Sequence, residues 1–504
     1  MSSVRRLSNA VNSMRAVSVT EKDIKADVDL IESASNDSGL GFDARQERAL
    51  ISKIDRKLLP LLTILYLLSF LDRTNIGNAR LFGLEKDLGM KGLDYNVALA
   101  IFYPTYILIE IPSNMMLKKW TPSKWIATIM FAWAIVTTLM GIVKNYHGLL
   151  AARIFLGLAE GGLFPGVAFL ITTWYRRHEC GFRIAIFFSA ATAAGAFGGL
   201  IARGVNEMNG VGGLAGWRWL FILEGILTFI FAIVAWFFLH DYPDTAKFLS
   251  SAEKAEVKRR LTLDSSGLAT EFNLKYAYDA LKDWKVWVHM CITIGVYTCV
   301  YSVALFLPTI VRTLGYTNAH AQLMTVPPYV VACVCCIFTG WAGDKTQQRG
   351  LFMMGGMLLA IVGLLLMLFA DAKHAQQKYA GVFLFSMGVY PNVAQGAAWQ
   401  GNNNGGTLKR GVAMAMHVGF GNAGGMIASF VFLPKDSPRF QTGLSILIGL
   451  QAMSFVLSGI MTTYYRRENA RRNANYKAPE LYTVAEKDLE REKGDYATFF
   501  RFTV

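Results

Sequence analysis

Four charged residues sit in stretches that are otherwise apolar. Asp72 and Arg73 interrupt LLTILYLLSFLDRTNIGNARLF (residues 61–82), about fourteen residues past Leu58, where the apolar run begins. On a helix rising 1.5 Å per residue that is roughly 21 Å into a hydrocarbon layer about 30 Å thick. In a second long apolar stretch, residues 148–174, Arg153 and Glu160 are seven residues apart. Two helical turns place them on one face, with Gly157 between. A charge at such depth costs on the order of 3 kcal/mol by insertion scales, so the four are tolerated only if they turn inward, pair or meet water.

Arginine is always charged and offers a planar fork matched to a carboxylate, so an arginine in a water-accessible membrane cavity selects an organic anion. A carboxylic acid beside it can change protonation as the cavity opens to each side in turn. A proton taken up there releases an arginine for the substrate, and proton and anion enter together. The pattern assigns Asp72 and Glu160 to proton coupling and Arg73 and Arg153 to the anion. Arg153 lies at roughly the depth of Asp72, since the two helices run in opposite directions, and the two are expected to pair. The plainer alternative makes Asp72–Arg153 and Arg73–Glu160 packing ion pairs.

Further polar residues fall inside later apolar runs: Tyr297, Tyr301, Ser302, Gln395, Trp399, Gln400, Asn402, His417 and Asn422. Aromatic and amide groups suit a ring- or amide-bearing substrate, with interfacial anchoring as the alternative for Tyr and Trp. For His417 a second proton site and a helix–helix hydrogen bond are both open. Glu110 and Glu224, near helix ends, read as structural. Cys333-x-Cys335-Cys336 resembles a metal motif only in spelling, because successive helical residues point in different directions. Neither a disulfide framework nor a metal site is expected from the six cysteines. There is no Gly-x-Ser-x-Gly, His-Glu-x-x-His or Gly-x-x-x-x-Gly-Lys, so neither a hydrolase nor an ATP-driven pump is indicated, and no cofactor.

These residues need long helices to hold them. Hydrophobic residues make up 53% of the 504 and charged residues 17%, below the roughly 25% charged of ordinary globular domains. The chain reads as an all-α integral membrane protein with twelve spans at about 58–82, 96–117, 124–143, 147–174, 184–206, 217–239, 286–311, 322–342, 351–370, 379–400, 411–432 and 442–464. The net charge of +14 gathers at the ends of apolar runs and in the tails, which marks topology determinants and no nucleic-acid partner. KKWTPSK, YRRHECGFR, EKAEVKRR, GDKTQQR and GTLKR occupy the even connections, whereas KNYHG and NEMNGVGGLAG in odd ones are poor in Lys and Arg. Positive loops face inside, so both termini are expected in the cytosol. No secretory signal precedes the first span, which then serves for insertion. The sequon Asn36-Asp37-Ser38 would stay unglycosylated there.

The chain also rhymes with itself. Gly198-Gly199-Leu200-Ile201-Ala202 recurs as Gly424-Gly425-Met426-Ile427-Ala428, an offset of 226 shared by Pro165 and Pro391. A shared register argues for two parallel repeats. The expected organisation is a disordered cytosolic tail (1–45), a six-helix half (46–240), a cytosolic linker (241–285), a second six-helix half (286–468) and a cytosolic tail (469–504).

LYLLSFLDRTNIGNARLFGLEKDLGM, FYPTYILIEIPSN, ARIFLGLAEGGLFPG and AQLMTVPPYV resemble the anion:cation symporters of the major facilitator superfamily, in particular the fungal allantoate and nicotinate permease branch. The likeness runs from about Leu58 to Glu468. Gly340 to Arg349, GWAGDKTQQR, is similar to that superfamily's Gly-x-x-x-Asp-Arg/Lys loop. Its counterpart after the second span lacks the Gly and Asp. The resemblance implies twelve helices in two pseudo-symmetric halves, a monomer in the plasma membrane, and proton-coupled uptake of a small carboxylate such as nicotinate. A sugar-acid transporter of the wider family carries Asp-Arg in the first span and Arg-x6-Glu in the fourth, which implies the same roles for Asp72, Arg73, Arg153 and Glu160. Tyr106 resembles a substrate-facing tyrosine, and Tyr301, Gln395, Trp399, His417 and Asn422 complete the expected binding set. The alternatives are an exporter of a fungal metabolite and a nutrient sensor that does not transport.

Overall fold

The computed structural model describes residues 42–265, 274–315, 317–370, 375–437, 439–474, 486, 490, 492–498 and 500–504. The expected disordered tail, 1–45, lies outside the described residues up to position 41. Every regular element described is helical: α1 (Ala44–Leu81), α2 (Asp94–Ala100), α3 (Phe102–Lys119), α4 (Pro122–Met140), α5 (Tyr146–Glu160), α6 (Leu163–Thr172), α7 (Arg177–Asn206), α8 (Gly216–Phe238), α9 (Ser251–Ser265), α10 (Leu274–Lys282), α11 (Trp284–Arg312), α12 (Asn318–Thr346), α13 (Arg349–Phe369), α14 (Ala375–Asn402), α15 (Thr407–Ala428) and α16 (Gln441–Ala474), besides single turns. α1 starts in a capping box: the Asp43 side chain accepts from the backbone N–H of Arg45 and Gln46, and the Gln46 side chain accepts from the Asp43 N–H. Its 38 residues reach about 57 Å, so its first turns stand outside any apolar layer.

By length and composition, α4, α5 with α6, α7, α8, α11, α12, α13 and α16 are able to cross a membrane. The remaining expected spans are helical too, in α1, α2 with α3, α14 and α15. They are less apolar because they carry buried Asp72, Arg73, Glu110, Gln395, His417 and Asn422. Polar groups in a bilayer must face protein, so the least apolar helices are those whose polar faces turn inward. On the outside, α8 exposes Ile226, Phe229, Ile230, Phe237 and Phe238, an apolar face suited to lipid.

The repeated glycines lie at equivalent seams. A Cβ on Gly199 of α7 would collide with the Gln322 carbonyl and Thr325 of α12, and one on Gly425 of α15 with the Tyr103 ring of α3. Each half thus presses a glycine-bearing helix onto the other half, with α7 on α12 mirrored by α15 on α3. Asn96 Nδ2 donates to the Ser429 carbonyl at 2.6 Å beside the second seam. At the opposite end Asp344, in the last turn of α12, accepts from the Phe182 N–H of α7 at 2.6 Å and from the Arg349 guanidinium at the start of α13. α9, in the connection between the halves, ties to the first half through Lys53–Glu253 at 2.8 Å and through Arg260, which meets Glu47 at 2.8 Å and Glu179.

Residues 494–498 and 500–504 pack into the end of the second half. Arg472 Nη1 donates to the carbonyls of Asp495 (2.8 Å), Ala497 (3.1 Å) and Phe500 (3.0 Å). Asn469 grips the backbone of Phe502, Asn403 that of Thr503, each through one donated and one accepted bond. The Gly350 N–H reaches the Val504 carbonyl at 3.3 Å. Fully buried Asp495 joins Lys285, Lys409 and Asp283 in a ring of alternating charge, with Lys409 2.5 Å from Asp495 and 2.6 Å from Asp283.

Candidate functional site

The site grows from one turn of α1. Ser69 and Arg73, four residues apart, both reach Glu160 of α5, while Asp72 reaches Trp133 of α4. Arg73 meets α5 first: its Nε lies 2.9 Å and its Nη2 2.8 Å from Glu160 Oε1, which also accepts from the Ser69 hydroxyl. Glycines make the meeting possible. Gly157 and Gly161 of the α5 segment abut the Phe102 and Tyr106 carbonyls of α3, where any Cβ would clash. The rings of Phe70, Phe102 and Tyr106 surround the Arg73 guanidinium at 5.8, 5.2 and 4.7 Å, a cation–π cage.

Arg73 then crosses to the second half. Its Nη1 donates to the Tyr301 hydroxyl of α11 at 2.9 Å, and Tyr301 donates onward to Asn422 Oδ1 of α15 at 3.0 Å. Beside them the Tyr297 ring leans on His417, whose Nδ1 lies 2.9 Å from Thr293 Oγ1. Among the described residues the Tyr297 hydroxyl and His417 Nε2 have no hydrogen-bond partner.

Asp72 differs from expectation. Its Oδ2 accepts from Trp133 Nε1 of α4, and no ion pair with Arg153 forms. Arg153 is 2% exposed, and its Nε and Nη2 have no hydrogen-bond partner among the described residues. The indole has taken the carboxylate oxygen that the arginine was expected to hold. Arg73 with Glu160, the ion pair of the plainer alternative, does form.

Sequence reasoning brought Asp72, Arg73, Tyr106, Arg153, Glu160, Tyr301, His417 and Asn422 to one region, and the structure gathers them there. Gln395 and Trp399 lie elsewhere. Gln395 accepts from Arg349 Nη1 at 3.1 Å and donates to the Thr339 carbonyl, so it braces the junction of α12 and α13. Trp399 donates to the Thr503 carbonyl at 2.9 Å and belongs to the packing of the last residues. Sequence reasoning missed Ser69 and Trp133. It also set aside Glu224 of α8, which accepts from Asn75 Nδ2 at 2.6 Å and lies beside Asp72. The polar spacing Ser69, Asp72, Asn75 along α1 was the available signal. Glu110, 3% exposed, has no hydrogen-bond partner for either oxygen among the described residues.

Residues 62–429 match the Major Facilitator Superfamily. The chain belongs to that superfamily. Among major facilitators it is 38% identical to MFS transporter prlL of a fungal species (strain NRRL 50135), over 81% of this chain and 84% of that protein. It is 30% identical to the high-affinity nicotinic acid transporter of Saccharomyces cerevisiae, over 93% and 86% respectively. The fold is similar to that of a bacterial homologue of the human lysosomal transporter Spinster, solved inward-facing and occupied, with a TM-score of 0.56 at 15% identity over 84% of this chain and 98% of that one. As a major facilitator the chain is an integral membrane transporter of a small molecule, and its charged centre lies where the two halves meet.

Proposed function

We propose that this major facilitator imports a small organic anion, nicotinate or a similar carboxylate, together with protons across the plasma membrane, acting as a monomer with both termini in the cytosol. One observation carries the reading: Arg153 is buried with two guanidinium nitrogens unpartnered. A buried cation left without partners is costly, and an arriving carboxylate offers the matching bidentate acceptor. Arg73 is occupied by Glu160 and Tyr301, so it organises the site and Arg153 takes the anion. Tyr106, Tyr301, His417 and Asn422 line the approach, and the ring-rich wall suits a flat aromatic acid. Asp72 and Glu160 carry the coupling protons. The likeness to the yeast nicotinic acid transporter supports the substrate class.

Transport then proceeds by rocking the halves about this centre. Protonation of an acid next to the arginines weakens its hold on them as the anion binds, and reopening on the other side lets both leave. The test is uptake of labelled nicotinate, pantothenate, allantoate and a sugar acid into transporter-deficient yeast at acidic and neutral pH. Uptake of one acid that rises at low pH and disappears in Arg153→Ala is expected. No uptake of any, with the protein at the cell surface, would sink the reading.

A further inference from the structure

We infer that Glu224 is a further proton-coupling residue, holding one proton in common with Asp72. Asp72 of α1 is 0% exposed and Glu224 of α8 6%, and Glu224 is held by a 2.6 Å hydrogen bond from Asn75, which lies one helical turn from Asp72 on α1. Each has one oxygen engaged, Asp72 Oδ2 by Trp133 and Glu224 Oε2 by Asn75 Nδ2. The other oxygen of each, Oδ1 and Oε1, has no hydrogen-bond partner among the described residues. An ionised carboxylate only accepts, so two such carboxylates buried one helical turn apart repel, whereas one proton held by the pair supplies a missing donor.

Charge balance points the same way. Around the pair stand Asn75 of α1, Trp133 and Thr137 of α4, and Arg153 and Glu160 of α5, with Arg73 on Glu160. The acids Asp72, Glu160 and Glu224 against the cations Arg73 and Arg153 leave one net negative charge in a buried cluster. A single shared proton makes the cluster neutral, which a water-poor site favours. When a monovalent anion docks on Arg153 the balance turns negative again, and a second proton on the Asp72–Glu224 pair restores it. That proton comes from water on the entry side and leaves to water on the exit side, giving one proton carried per anion. This stoichiometry depends on the anion–proton reading above, while the shared proton itself does not.

The experiment separates the two. Infrared difference spectra of the full chain in lipid, without substrate, should show the C=O stretch of a protonated carboxyl that shifts in D2O. The band should vanish in Glu224→Gln and in Asp72→Asn and survive in Glu110→Gln. Gln keeps an acceptor for Asn75, so Glu224→Gln carries the test if Asp72→Asn fails to fold. A band that persists in Glu224→Gln, or no such band in the parent protein, overturns the shared proton. In vesicles given nicotinate, the parent protein should take up protons and Glu224→Gln should lose that uptake. Proton uptake kept in Glu224→Gln overturns its coupling role, whereas nicotinate uptake without proton movement in the parent protein refutes symport and leaves the infrared result standing.

Discussion

Arg73 of α1 donates to the hydroxyl of Tyr301 of α11 across 2.9 Å, and this bond joins the first half of the protein to the second. Arg73 is 4% exposed and Glu160, its other partner, 0%. A centre so closed reaches water only if the halves part, and parting them there breaks the Arg73–Tyr301 bond.

Tyr301→Phe removes that bond and takes the donor from Asn422 Oδ1. A hydrogen bond to a charged group contributes about 1.5–3 kcal/mol. The half-saturation constant for uptake should therefore rise about tenfold, equivalent to ~1.4 kcal/mol, with surface expression unchanged. Saturation curves of labelled uptake measure it, and an unaltered constant would show that the bond is not used in the cycle.

Gln395 gives the opposite signature. It holds Arg349 at one end of the bundle and does not touch the charged centre. Gln395→Ala should lower the maximal rate several-fold, matching the loss of about 1 kcal/mol from one hydrogen bond, and leave half-saturation unchanged. A shift in half-saturation alone would return Gln395 to the substrate.

Gly425 lets the Tyr103 ring lie against the α15 backbone. Gly425→Val should prop that seam open and stop transport with the protein still in the membrane. Cysteines placed by Asn96→Cys and Ser429→Cys, whose parent residues share a hydrogen bond of 2.6 Å, should cross-link readily in the otherwise unchanged chain and poorly with Val at position 425. Equal cross-linking in both would refute the seam's role. Gly199→Val tests the mirrored seam.

Asp495 carries a pH dependence with a fixed sign. Burial pushes its carboxyl up, and the Lys285 and Lys409 ammonium groups outweigh that, holding it below the usual aspartate range. A depressed carboxyl adds stability that is fully present above the unfolded value of about 3.9 and is lost as pH falls through the lower folded value. Thermal melts in detergent should therefore weaken below about pH 4. Asp495→Asn should melt earlier at pH 7, by the equivalent of about 3 kcal/mol for a broken buried ion pair, and respond less to acid. Superimposable melts would sink this account.

Much of this architecture was legible because apolar runs and the seven-residue step from Arg153 to Glu160 follow directly from helical geometry. The Arg73–Glu160 contact came with it. Trp133 did not, since which α4 residue reaches Asp72 depends on how that helix is rotated, and a lone indole in an apolar run carries no sign of it. Gln395 and Trp399 were grouped with the site by chemical type, but residue type does not report depth along α14. The last residues were the least legible. Their partners Arg472, Asn469 and Asn403 bind backbone carbonyls and amides, and backbone groups are the same in every sequence.

The seating of Val504 against Gly350 matters to anyone handling the protein. A reporter or affinity handle joined after Val504 starts from inside a packed surface, and it competes with the Asn403 and Trp399 bonds to Thr503 for room. Joined ahead of α1 instead, where 43 residues precede Ala44, the same handle leaves those contacts undisturbed.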